Sequence, residues 1–404
     1  MDPTEALTLA AIAYRGCELN LSNPHSQRIL HDEITRGLSS FSRVQGKWEL
    51  VWGPAGYCSG GAGLDDSAMY VVRNKQSPKT LAIVVRGTNL FSLGDWESNF
   101  RLAPQTWAYG SAGSQVKISD SIGLGLSILQ ILRAQNPPPP PVVETAAEQA
   151  RAAATKAQAA AGYAFITTMV KGTAALDVSG IFADIASKVT DWFGHSNDAT
   201  IVQAATVAQP PSPPARTLAQ FLTAFVSASA GPVDLHVIGH SKGGALAAAL
   251  AQWLADTQGP SVAEYCRWDP HSTAVMHPHS FAAPTPGNSG FAQRFAGKFP
   301  GAYRLANPYD IIPHAWNTAE ISEVPDLYAN QLKLLRILAD ALALFLQQAG
   351  YQHEIGAQPW PAQPLANRTL PAQIAFNHLD AYLTKLAIPD PGLSILRLFA
   401  PIAS

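Results

Sequence analysis

A chain of 404 residues can bury a substantial core, and its length alone admits one large α/β domain with insertions or two domains. Charged residues make up only 14% and apolar ones 47%, with a formal net charge of −2, so there is no electrostatic case for nucleic acid or for an anionic membrane surface. Cys17, Cys58 and Cys266 are too few and too scattered for a disulfide framework or a thiolate metal site, and read as buried thiols. The opening MDPTEALTLAAIAYRG has acids where a secretory signal has a basic region, and no apolar run of spanning length lacks charges. A soluble protein without a transmembrane segment is expected, cytoplasmic or exported by a route that needs no cleavable signal.

Helical spacing begins at Thr4 or Glu5 and runs to Arg15. Residues 48–52, 69–73 and 81–85 read as strands, and turn-forming residues 74–79 join the last two as a hairpin. The third runs into RGTNLFSLGDWESNF, residues 86–100, either an ordinary loop or, by its position after a fully apolar strand, a candidate for half of an oxyanion hole. Residues 122–132 read as a helix. Five prolines from Pro137 then open an alanine-rich stretch that closes at Pro210, Pro211, Pro213 and Pro214. Proline runs are stiff spacers and alanine favours helix, so this is expected to be a helical excursion of roughly seventy residues, either a cap or a decoration.

Residues 215–228 restore the main fold as a helix. The alternating run 233–238 stops at Gly239-His240-Ser241-Lys242-Gly243 and passes into an alanine-rich helical pattern. Strand, tight turn and helix in that order form a nucleophile elbow, with Ser241 as nucleophile. Its glycines are expected for two reasons: φ values that a side chain resists, and the absence of a β-carbon where strand and helix crowd. Beyond it, residues 279–283 and 302–305 read as strands. A second insertion follows, helical from Pro325 to Gln348 and stopped by Gly350, apolar on more than one side and so expected to be sandwiched in protein, the alternative being a face offered to an apolar partner. Residues 351–355 read as a last strand, and 375–386 as a helix.

A serine hydroxyl needs a base to take its proton, and a histidine base needs a carboxylate to fix its tautomer. Asp310 stands out among the later acids, because it follows a predicted strand in a loop bracketed by Pro308 and Pro313. Of the later histidines, His353 and His378 both follow Asp310 by enough chain to return from another strand. Such chemistry needs no metal or cofactor.

The succession RGT followed by DW, GHSKGG, FAAPTPGNSGFA, ANPYDIIP and H-x-x-x-Y resembles the class 3 lipase family, relatives of the fungal triacylglycerol lipases. The similarity runs in order from the N-terminal helix to Tyr382, outside the two insertions. It implies an α/β-hydrolase fold, a central, mostly parallel sheet flanked by helices. The core would comprise residues 1–136 and 215–404, interrupted by helical insertions at 137–214 and 320–350. It implies Ser241, Asp310 and His378 as the triad, with His353 matching a non-catalytic histidine. Thr88 matches the oxyanion position, beside the Lys242 N–H, and residues 89–100 correspond to a lid and hinge.

Two features depart from the family pattern. Lys242 stands where leucine is usual, and is read either as an outward, solvated lysine or as a cation that favours acidic or phosphate-bearing substrates. VKISDSIG replaces the usual histidine and glycine segment before the helix at residue 122. The expected activity is hydrolysis of carboxylic esters of lipids through an acyl-enzyme, with transient contact at a lipid interface. Phospholipid hydrolysis, or a catalytically silent binding protein on the same fold, are the alternatives.

Overall fold

Apolar residues on both faces of successive strands dictate a sheet covered on both sides. The computed structural model describes residues 1–16, 19, 24–57, 67–87, 102–110, 113, 115–134, 136, 138, 149, 153, 215–263, 267–328, 336–363 and 370–388. All three cysteines and most of the 137–214 insertion lie outside these residues.

The chain begins with α1 (Pro3–Ile12), capped by the Asp2 carboxylate, which accepts the Thr4 N–H at 2.8 Å. Residues Ala6 to Ile12 are buried all round, as suits a helix enclosed in protein. After α2 (Pro24–Ser40) come β1 (Trp48–Tyr57), β2 (Ser67–Asn74) and β3 (Thr80–Val85). Two short strands, β4 (Pro104–Thr106) and β5 (Lys117–Ser119), precede α3 (Asp120–Ile131). Next, β6 (Arg133–Ala134) pairs antiparallel with β7 (Arg216–Thr217), so the chain leaves towards the long insertion and returns within one strand pair.

The return leads through α4 (Leu218–Ala228) to β8 (Val233–His240) and α5 (Lys242–Asp256). Then come β9 (Ala274–Phe281), β10 (Gly287–Asn288), α6 (Ser289–Lys298), β11 (Tyr303–Leu305) and the single turn α7 (Ile311–His314). A 3-10 helix, Ile321–Asp326, precedes α8 (Arg336–Ala349) and β12 (Tyr351–Gln352). Last are α9 (Leu370–Ala375), a π-helical turn Phe376–Asp380, and α10 (Ala381–Lys385).

The main sheet runs β1-β2-β3-β8-β9-β11; β1, β2 and β3 pair antiparallel, and β3, β8, β9 and β11 are parallel. Strand alternation assigns Leu81, Ile83, Val85, Leu235 and Val237 to the face under α3, α4, α5 and α6. Ala82, Val84, Ile238 and Phe281 fall on the other face, under α1, α2 and α10. Burial on both faces explains why the parallel strands read as continuous apolar runs. β12, β10, β5 and β4 form a second, four-stranded sheet.

Three expectations change. β9 starts five residues earlier than read, passing through Pro278; there β8 pairs on one side while β11 reaches only His279 to Phe281 on the other, so the missing N–H falls at an edge. The segment expected to start a helix at Pro325 is instead a 3-10 helix containing that proline, followed by a turn at residues 327–328; α8 is described from Arg336. One side of α8 packs through Leu346 and Ala349, while Leu344 is 66% exposed. The last strand shortens to Tyr351–Gln352. Among the described residues, no helix is long and apolar enough to cross a membrane.

Candidate active site

Because β3, β8, β9 and β11 run parallel, Gly87, Ser241, Ala282 and the 306–310 loop all emerge at one edge of the sheet. Ser241 sits between β8 and α5 at φ 60° and ψ −139°, a conformation that costs about 1–3 kcal/mol for a residue with a side chain. Its N–H is held by the carbonyl of Phe281 at 2.9 Å. Of the two reasons expected for the glycines, only crowding applies, since the positive φ is carried by the serine itself. A β-carbon on Gly239 would lie 1.9 Å from the Gly243 carbonyl oxygen, and one on Gly243 2.5 Å from that of Val85. Gly87 is equally constrained: its β-carbon would lie 2.2 Å from the Tyr14 hydroxyl and 2.5 Å from the His240 carbonyl.

Ser241 Oγ lies 3.0 Å from His378 Nε2, and His378 Nδ1 lies 3.0 and 2.9 Å from the two oxygens of Asp310. A carboxylate can only accept, so Nδ1 carries the hydrogen and Nε2 is bare towards the serine hydroxyl. Asp310 is fully buried, and two further donors support its charge: the Ile312 N–H at 3.0 Å and the Tyr382 hydroxyl at 2.8 Å. Burial first, and then the Asp310 charge, push the Tyr382 phenol well above its usual range, so it stays a donor. The same oxygen accepts the Asn307 N–H at 2.9 Å, and the Asn307 side chain bonds the Asn377 backbone and side-chain oxygens. The loop carrying the acid is thereby tied to the turn carrying the imidazole.

His240 fills the space beneath: Nε2 is 2.9 Å from the His378 carbonyl oxygen and Nδ1 2.8 Å from the Tyr14 hydroxyl. His353 takes no part in this cluster; its ring meets Arg304, Glu320 and Thr285. His353 Nε2 faces both Arg304, which only donates, at 2.9 Å and a Glu320 carboxylate oxygen, which only accepts, at 3.3 Å. Burial, ahead of every other influence, lowers the His353 pKa. Lys242 is not the solvated side chain expected: it is 8% exposed, within the buried N-terminal turn of α5. Its main-chain N–H is one of the first-turn amides that no earlier turn can satisfy. Thr88 and residues 89–100 lie outside the described residues.

Sequence reasoning missed three supporting residues. Tyr382 was present only as a spacing in H-x-x-x-Y and Asn307 only as a letter in ANPYDIIP, whereas Tyr14 gave no signal beyond helical periodicity.

Sheet order, elbow and site edge define the α/β-hydrolase fold. Residues 181–319 match the family model described as lipase (class 3), so the resemblance carried by the motifs is borne out over that segment, which includes Ser241 and Asp310. The crystal structure of M37 lipase is similar over 98% of this chain and 95% of that one, at 24% identity and a TM-score of 0.68. The Rhizomucor miehei triacylglyceride lipase structure covers 78% of this chain and 72% of its own, at 16% identity and a TM-score of 0.36. For lipase II from Rhizopus niveus the coverage is 78% and 74%, the identity 14% and the TM-score 0.37. No curated protein sequence matches.

Proposed function

We propose that the protein is a serine hydrolase that cleaves carboxylic esters of lipids through an acyl-enzyme on Ser241. The observation that carries this reading is the unbroken chain from Ser241 Oγ through both nitrogens of His378 to the buried carboxylate of Asp310. His378 Nε2 takes the hydroxyl proton as Oγ attacks the ester carbonyl, and Asp310 stabilises the imidazolium that forms. The Lys242 N–H, with Thr88 as the second donor, holds the tetrahedral oxyanion. His378 then protonates the departing alcohol, and water repeats the sequence to release the acid. No metal or cofactor enters these steps.

Long acyl groups suit a chain whose insertions and lid segment are rich in apolar residues, and a lipid interface is the natural place to meet them. Phospholipid as substrate is the second reading, motivated by Lys242, which directly follows the nucleophile in place of the family's usual leucine. A panel of short and long esters, triglyceride and phospholipid vesicles tests the reading. Fatty acid release by the wild type, abolished in Ser241→Ala, is expected; release that survives the substitution would refute it. If lysophospholipid appears in preference to fatty acid from neutral glycerides, the enzyme is a phospholipase.

A further inference from the structure

Both ring nitrogens of His240 are engaged, and the chemistry of their partners fixes which one carries the hydrogen. Nε2 faces the carbonyl oxygen of His378 at 2.9 Å, and a carbonyl cannot donate, so Nε2 is the N–H. Burial first, and the neighbouring His378 second, hold His240 well below the usual imidazole range, so the ring is neutral and Nδ1 is bare. That nitrogen accepts the Tyr14 O–H at 2.8 Å; another acceptor among the described residues, the His240 carbonyl, is farther, at 3.4 Å. The rings of Tyr14, His378 and Tyr382 surround the imidazole at centroid distances of 5.7, 5.0 and 5.8 Å. The carbonyl that His240 holds belongs to the π-helical turn, where Ala381 N–H reaches back to Phe376. Such turns displace the backbone locally and recur at functional sites.

We infer that Tyr14 and His240 are positioning residues for the general base: the His240 Nε2–H fixes the main chain of His378, and the Tyr14 O–H, donating to Nδ1, holds the ring in place against that carbonyl. The inference rests on the reading of His378 as the base of Ser241. Without the Tyr14 hydroxyl the buried Nδ1 loses the donor that holds the ring at the His378 carbonyl. The ring then shifts, the Nε2–H bond to that carbonyl lengthens, and the turn moves with it. His378 then loses alignment with Ser241, although no group that touches substrate has been removed.

The test compares ester turnover and phosphonate labelling in the wild type, Ser241→Ala, Tyr14→Phe, His240→Ala, His240→Gln and the double variant Tyr14→Phe with His240→Gln. Thermal unfolding of each variant is measured alongside. A displacement of about 1 Å at a reacting group costs on the order of 100-fold in rate, so Tyr14→Phe should lower kcat by roughly 10- to 100-fold with KM unchanged. His240→Gln should recover most of what His240→Ala loses, because its amide N–H can donate to the same carbonyl without a bond from Tyr14. Adding Tyr14→Phe to His240→Gln should then cost little. An equal loss in both backgrounds would give Tyr14 a merely structural role and overturn the inference.

A second readout needs no turnover. In protein with nitrogen-15 histidine, the His240 Nε2–H proton should give a hydrogen-bonded signal in the wild type and move upfield or broaden in Tyr14→Phe as its bond to the His378 carbonyl weakens; an unchanged Nε2–H signal would contradict the inference. Labelling that persists in Ser241→Ala would instead sink the hydrolase reading, a separable failure.

Discussion

Strain at Ser241 and crowding at its glycines divide the elbow's demands between different residues, and substitutions can separate them. In Gly243→Ala the new methyl would lie 2.5 Å from the Val85 oxygen and 2.7 Å from the Arg86 carbonyl carbon, backbone atoms that cannot swing aside. A loss of about 1–3 kcal/mol or more is expected in urea unfolding, together with loss of activity. Gly297 lies in α6 with nothing within 4 Å of its would-be β-carbon, so Gly297→Ala should stabilise by up to about 1 kcal/mol and leave activity alone. Equal effects of the two substitutions would refute the steric argument. Tyr382→Phe removes one donor from buried Asp310 and the acceptor of the Asn307 N–H. Two buried polar groups are left short of a partner, and a cost of about 1–3 kcal/mol follows, with slower turnover as the acid loses its anchor.

Among the elements, β8 and β9 carry a feature unrelated to the chemistry above: His236 Nδ1 meets His279 Nε2 at 3.1 Å, and the His236 ring stacks on His277. Burial first, then the α-amino group of Met1 and neighbouring histidines, lower His236 to about 2 and His279 to about 3. Folded-state values below the unfolded value near 6.5 mean that the unfolded chain binds more protons in between. Stability should therefore rise with pH from about 3 to about 6.5, and at pH 5 each of the two costs about 2 kcal/mol relative to pH 7. His236→Gln should shrink the difference between urea midpoints at pH 7 and pH 5. A difference unchanged in that variant would show that these histidines do not set the acid limb.

Strand and helix identities in this region were legible because alternation and 3.6-residue spacing survive inside a two-sided core. What escaped was set by tertiary context: the extension of β9 through Pro278 needs knowledge of where β11 stops, and the burial of Lys242 follows from its place at the start of α5. The π-helical turn at His378 likewise has no periodic signature.

At the scale of the whole molecule, the order of motifs along the chain predicted which strand ends would meet, since a parallel sheet delivers successive loops to one edge. It did not predict how the edge is braced, because Tyr14 and Tyr382 arrive from the two ends of the chain and both pack on His240. The pairing of Arg133–Ala134 with Arg216–Thr217 bears on the insertion, since its two stems already lie side by side. Replacing residues 137–214 with a short glycine-serine linker should leave core unfolding nearly unchanged and, if the insertion caps the site, shift the preferred acyl chain length. An unchanged ester profile would make it a decoration.

Activation of Ser241 by His378 and not by His353 is tested most directly by peptide mapping after exposure to an organophosphonate ester. A single adduct on Ser241 should form at similar rates in the wild type and His353→Ala, and more than about a thousandfold more slowly in His378→Ala. Rapid labelling of His378→Ala, or loss of labelling in folded His353→Ala, would contradict it.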